Sequence, residues 1–145
     1  MKITIRNLQN KVPVSPKIVI KTVKKVLSSE RIRKNGEIAF SFVTDREIRR
    51  LNLKYLGKDS PTDVIAFDVA EPVQPGKIFA DIVISSERAV DNAVRFKTTA
   101  LYELYLYVIH GVLHILGYDH REKEDRLMMR KKEAALIKGL FLSPK

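Results

Sequence analysis

Alternation of apolar and polar residues from Lys2 to Arg6 predicts a short strand at the start of the chain. Ser15-Pro16 reads as a helix start, with a capping hydroxyl and a proline in the first turn. Through Leu27, helical spacing gathers Val19, Val23, Val26 and Leu27 on one side and Lys17, Lys21, Lys24 and Lys25 on the other. Asn35-Gly36 predicts a turn into a strand of β-branched and aromatic residues from Ile38 to Val43. Thr44 or Asp45 caps the next helix, which reaches about Tyr55 with Ile48, Leu51 and Leu53 as its apolar positions. A loop from Gly57 to Pro61 feeds a strand from Asp63 to Val69. Pro72 and Pro75-Gly76 then make a turn before a strand from Ile78 to Ser85. Two helices follow, from Ser86 to Phe96 and from Thr98 to Leu116. The second is apolar almost all round from Leu104 onward, which places it in the middle of the domain, and Gly117 ends it. A charged helix covers about Glu122 to Leu136. The order β-α-β-α-β-β-α-α-α predicts one α+β domain over residues 1–145, a small mixed sheet of about four strands with about five packed helices.

Composition narrows the chemistry. The 145 residues include no cysteine, which excludes disulfides and thiolate metal sites and points to a reducing cytoplasm. The richest apolar stretch, Leu101 to Leu116, is broken by Glu103, His110 and His114, against a membrane span. Net charge is +10, and Lys11 to Lys34 holds eight basic residues against the single acid Glu30. So concentrated a positive field attracts polyanions, nucleic acid above all, which makes Lys17, Lys21 and Lys24 candidate RNA contacts. The other reading is a solvated helix face that keeps the protein soluble.

The three histidines of the chain all fall within His110-Gly-Val-Leu-His114-Ile-Leu-Gly-Tyr-Asp-His120. On a helix, His110 and His114 are separated by about 40° around the axis and about 6 Å along it, so both imidazoles reach one ion. Gly117 permits a left-handed turn that brings His120 back as a third ligand. Three neutral nitrogens around one zinc-like ion leave a fourth position open, the pattern of a catalytic site. Buried histidines satisfied by backbone carbonyls are the alternative, but two in register on an apolar helix and a third after a glycine turn favour a shared ion. The spacing H-x-x-x-H-x-x-G-x-x-H resembles the zinc frame of metzincin peptidases, with Gly111 where those enzymes carry a glutamate base.

The histidine segment as a whole resembles the signature of the YbeY endoribonucleases, ribosomal RNA maturation factors. Gly57-Lys58-Asp59-Ser60-Pro61-Thr62-Asp63-Val64 with Phe67, and Asp81-Ile82-Val83-Ile84-Ser85, match the same family in order and spacing. The resemblance implies a cytoplasmic, metal-dependent endoribonuclease directed at single-stranded RNA. It further implies a role in small-subunit ribosomal RNA processing and ribosome quality control, with the ribosomal small subunit or its proteins as partners and His110, His114 and His120 as zinc ligands. No DNA partner is expected. Two positions depart from the pattern: Leu56 stands where the family usually has an arginine, and Ala80 where it usually has glycine. Lys54 or Lys58 then has to supply the phosphate contact, as a point charge without a bidentate fork.

With Gly111 unable to take a proton, the general base falls to the metal hydroxide or a nearby carboxylate. Asp119, Asp81 and Asp63 are the candidates. Asp119 could equally orient a ligand from behind, and Asp63 could be a strand-entry cap. Glu103 reads as a buried structural partner. Two other functions stay open: a ribosome-associated RNA-binding protein with a structural metal, and a metal hydrolase of another substrate such as a peptide.

Overall fold

The computed structural model describes residues 1–69, 76–118 and 122–141. In chain order the elements are β1 (Lys2–Asn7), α1 (Pro16–Ser29), β2 (Asn35–Val43), α2 (Asp45–Leu56), β3 (Val64–Asp68), β4 (Lys77–Ser85), α3 (Ser86–Phe96), α4 (Ala100–Ile115) and α5 (Lys123–Phe141). Sheet order is β1-β2-β4-β3; β1, β2 and β4 run parallel, and β3 pairs antiparallel with β4 at the edge. The α+β class and the order of strands and helices are therefore those the pattern predicts.

The caps explain why the helices begin where they do. Ile18 N–H donates to Ser15 Oγ at 3.3 Å, and Glu47 N–H donates to Thr44 Oγ1 at 3.3 Å, each satisfying one orphan donor of a first turn. One face of the sheet, carrying Ile38, Phe40, Phe42, Ala80, Ile82 and Ile84, forms the main core with α1, α4 and α5. The opposite face carries Val43, Ile65 and Val83 against Ile48 of α2. Helix α4 runs through the middle as expected, in contact with α1, α3, α5, β3 and β4. Glu103 on it is buried at 3% exposure and accepts from Thr98 Oγ1 at 2.7 Å, which bears out its structural reading.

Three local expectations need correction. Asn35-Gly36 is not a turn: both residues pair within β2 against Lys77 and Ile78. Gly36 is there because the neighbouring strand is close; a Cβ would lie 1.8 Å from the Ile78 carbonyl oxygen, and φ is +132°. On α2 the inward position is Asn52 rather than Leu53, which is 51% exposed. Asn52 Nδ2 donates to the Ser60 carbonyl at 2.9 Å, so a polar residue is buried to hold the loop after the helix. Helix α5 continues past Leu136 to Phe141, because Leu136 and Ile137 are both core residues.

Candidate metal centre and its cleft

Helix α4 ends in a turn that the sequence explains. Gly117, at φ +106°, donates its N–H to the His114 carbonyl at 3.0 Å, and Tyr118 N–H donates to the Leu113 carbonyl at 3.1 Å. These two bonds form a Schellman motif, and the left-handed residue between them is the one the turn requires. The chain thus reverses three residues after His114. Tyr118 is tied down next: its hydroxyl donates to Glu30, the C-cap residue of α1, and Lys132 Nζ donates to the same carboxylate at 2.7 Å. The expected third ligand His120 and the candidate base Asp119 lie outside the described residues.

His110 and His114 line one cleft of about 430 Å³, together with Gly111 from the same helix, Val64 and Ala66 of β3, and Asn52, Leu56 and Lys58 at the end of α2. Gly111 is where α4 meets the sheet. A Cβ there would lie 2.8 Å from Ile82 Cγ2 and 3.4 Å from Val64 Cγ2, so the helix approaches β4 as closely as it does because this position has no side chain. A glutamate base at this position has no room as well as no residue.

The cleft runs along the free edge of the sheet. Asp63 O accepts from Ser85 N–H at 2.9 Å, and Val69 N–H donates to Phe79 O at 2.9 Å, so the odd-numbered residues of β3 bond to β4. Backbone groups of Val64 and Ala66 therefore point outward. The Val64 N–H is taken up by Asp63 Oδ1 at 2.8 Å, the strand-entry role weighed for that carboxylate. The Ala66 N–H faces the cleft side of the strand.

Glu133 of α5 completes the electrostatics. Its Oε1 lies 2.7 Å from His110 Nδ1, and since a carboxylate only accepts, Nδ1 carries the proton and Nε2 is the acceptor nitrogen of the ring. Burial pulls the His110 pKa down. The hydrogen bond and charge of Glu133, with the charge of Asp63, outweigh it and leave the imidazole above its ordinary value. A field that favours positive charge at this ring favours a divalent cation as much as a proton, and carboxylate-backed histidine is a usual support for such an ion. Among the described residues no three potential ligands converge. The donors present nonetheless suit zinc, two imidazoles on one wall with a carboxylate behind one of them.

The remaining expected site residues scatter. Asp81 is exposed and belongs to the sheet face opposite α4, because its neighbours Ala80 and Ile82 point into the main core. It is not brought to the histidines. Lys54 Nζ sits 5.1 Å from the centre of the Tyr55 ring, and the side chain does not line the cleft, whereas Lys58 does. Lys17, Lys21 and Lys24 are exposed on α1. Lys24 shares a groove of about 690 Å³ with Arg31 and Arg33, and Lys21 borders a separate one with Leu101 and Tyr105. Glu133 escaped the sequence reading; its one signal was a carboxylate on the inner side of the last helix, four residues after the buried Met129.

Residues 4–140 match the family model described as Endoribonuclease YbeY. Curated relatives carrying that name include one from Thermoanaerobacter sp. (strain X514), 37% identical over 97% of this chain and 98% of its own length. Another, from Pelotomaculum thermopropionicum, is 36% identical with 99% of each chain covered. Among solved structures, TM1509 from Thermotoga maritima, determined in solution, superposes with a TM-score of 0.60 at 28% identity, covering 94% of this chain and 87% of that one.

Proposed function

This chain belongs to the YbeY endoribonuclease family, and from that membership we propose that it is a metal-dependent endoribonuclease directed at single-stranded RNA. Its setting in this reading is cytoplasmic maturation of small-subunit ribosomal RNA and ribosome quality control, with the small subunit or its proteins as partners. No helix among the described residues is long and apolar enough to cross a membrane.

The observation that carries the reading is the cleft itself, where His110, His114 and Lys58 share one open space beside a strand edge. His110, His114 and His120 are the proposed ligands of one zinc ion per chain, whose chemistry is Lewis acidity toward a phosphoryl oxygen. Glu133 fixes the tautomer of His110. Lys58 supplies positive charge for the phosphate, and the Ala66 N–H adds a neutral donor. Asp63 adds negative charge near His110, although its Oδ1 is engaged by Val64. Of the carboxylates weighed as base, Asp63 and Asp119 keep that role in this reading, the first by its charge at His110 and the second by its place in the chain next to His120. Lys17 and Lys24, with Arg31 and Arg33, supply sequence-independent phosphate contacts away from the cleft.

A peptidase reading is disfavoured by Gly111, which has no carboxylate to act as base and where a Cβ would lie 2.8 Å from Ile82 Cγ2. A purely structural ion is disfavoured because His114 is exposed on the wall of an open cleft, and among the described residues no closed set of ligands surrounds it. Two measurements on purified protein test the proposal together. Elemental analysis is expected to give about one zinc per wild-type chain and its loss in His114→Ala. Incubation with a labelled single strand is expected to give internal cleavage that His110→Ala abolishes. Stoichiometric metal in His114→Ala, or cleavage undiminished in His110→Ala, overturns it.

A further inference from the structure

The last turn of α2 exposes three large apolar side chains, Leu53 at 51%, Tyr55 at 57% and Leu56 at 52%. Grouped on one helix turn, they form an apolar patch of the kind that takes a ligand. The cluster continues onto β3, where the Tyr55 ring meets Phe67 edge-on with centroids 5.4 Å apart at 64°. Val69, just past the strand, is 50% exposed. This patch adjoins the histidine cleft through chain neighbours on both elements: Leu56 follows Tyr55, Ala66 precedes Phe67, and both line the cleft. It is also cationic, with Lys54 Nζ lying over the Tyr55 ring 5.1 Å from its centre and Lys58 in the cleft wall.

We propose that Tyr55 is a stacking platform for an unpaired base of an RNA strand whose backbone enters the histidine cleft. This rests on the endoribonuclease reading and names how its substrate is held. The chemistry converges on one ligand class. A half-exposed aromatic ring beside apolar side chains fits a flat, uncharged base that takes the place of the Lys54 ammonium over it, and Lys54 and Lys58 fit the anionic chain that carries the base. A base within a duplex is already stacked on both faces and cannot use the platform, so the site selects single strands. Contact with Phe67 holds the Tyr55 ring in place before binding, which reduces the ordering cost of the contact. Leu56 suits the same ligand, since it offers apolar surface and no charge.

The test is equilibrium binding of a labelled single strand to the full chain as purified, at low temperature and fixed salt, with strand integrity checked after each titration. Companion strands are a duplex and a strand of abasic sugar-phosphate. Tyr55→Ala is expected to weaken binding of the intact strand by about fivefold to a hundredfold, and to leave binding of the abasic strand and the duplex unchanged. Tyr55→Phe keeps the ring and is expected to stay near wild type, which separates stacking from misfolding. In initial-rate cleavage Tyr55→Ala should raise KM and spare kcat. Wild-type affinity in Tyr55→Ala, an equal loss on the abasic strand, or failure of Tyr55→Phe to restore binding each overturns the platform. If wild type binds the strand in the Tyr55-dependent manner but never cleaves it, the nuclease reading falls and the platform stands. If wild type cleaves and Tyr55→Ala is silent, the reverse holds.

Discussion

Nδ1 of His110 and Oε1 of Glu133 lie 2.7 Å apart although the two residues are 23 positions apart and on different helices. The contact joins α4, which carries two candidate ligands, to α5, which otherwise looks like a charged covering helix. Glu133→Ala is expected to weaken zinc binding by about 10- to 100-fold, because the imidazole loses both its fixed tautomer and its orientation. Glu133→Gln retains an acceptor and should fall between the two. Competition with a chelator of known affinity measures this, and unchanged affinity in Glu133→Ala would show that the carboxylate serves packing alone.

Gly111 against Ile82 makes a second prediction. An added methyl gains about 1 kcal/mol of helix propensity but overpacks a buried, β-branched neighbour at 2.8 Å, at a cost of about 1–3 kcal/mol. Gly111→Ala should therefore be neutral to destabilising in the wild-type background. It should turn stabilising when Ile82→Ala has removed the obstructing atoms. Denaturant unfolding of the four-member cycle reads the coupling; strictly additive effects would mean that α4 simply shifts away from the sheet.

The legibility of this chain divides along physical lines. Elements set by local rules were readable: Ser15 and Thr44 as caps, Gly117 as a helix stop, and α4 as a buried helix from its all-round apolarity. Features set by tertiary proximity were not. Gly36 reads as a turn residue, and only the closeness of Ile78 shows that it is needed for strand approach. Leu53 reads as core by spacing, yet the loop from Gly57 to Pro61 needs an internal donor, and Asn52 takes the inward position to provide it. At the site, helical spacing alone brought His110 and His114 together. The cleft's other wall joins α2 to β3, and no periodicity within one element announces that Leu56 and Lys58 stand on it while Asp81 faces away.

The Glu30 cluster predicts a pH dependence. Burial raises the Glu30 pKa, but the hydrogen bonds from Lys132 and Tyr118, with the charge of Lys132, outweigh it and hold the carboxyl below its ordinary value. A carboxyl so lowered contributes stability above its unfolded pKa and loses it as pH falls through the folded one. The stability gap between wild type and Glu30→Gln should thus be present near neutrality and close on acidification below about pH 4. Thermal unfolding across that range measures it. A gap that widens in acid would mean that the carboxyl is not stabilised as an anion.

Leu56 and Lys58 face the same cleft as His110 and His114, but only Lys58 brings a charge. Lysine holds phosphate as a single flexible point charge, whereas a guanidinium offers two parallel hydrogen bonds in a fixed fork. The exposed position of Leu56 leaves room for a longer side chain at little cost in packing. Leu56→Arg is therefore expected to raise cleavage of a single-stranded RNA, by roughly tenfold if one charge-assisted contact of about 1.5 kcal/mol is gained. Lys58→Ala should lower cleavage by a comparable factor, and the gain from Leu56→Arg should shrink as salt rises, since an added phosphate contact steepens the salt dependence. The assay is initial-rate cleavage of one labelled strand at two salt concentrations, with His110→Ala as the control for contaminating activity. If Leu56→Arg and Lys58→Ala both match wild type, this wall of the cleft does not hold the scissile phosphate. A rise in Leu56→Arg that ignores salt would place the gain in something other than the phosphate contact.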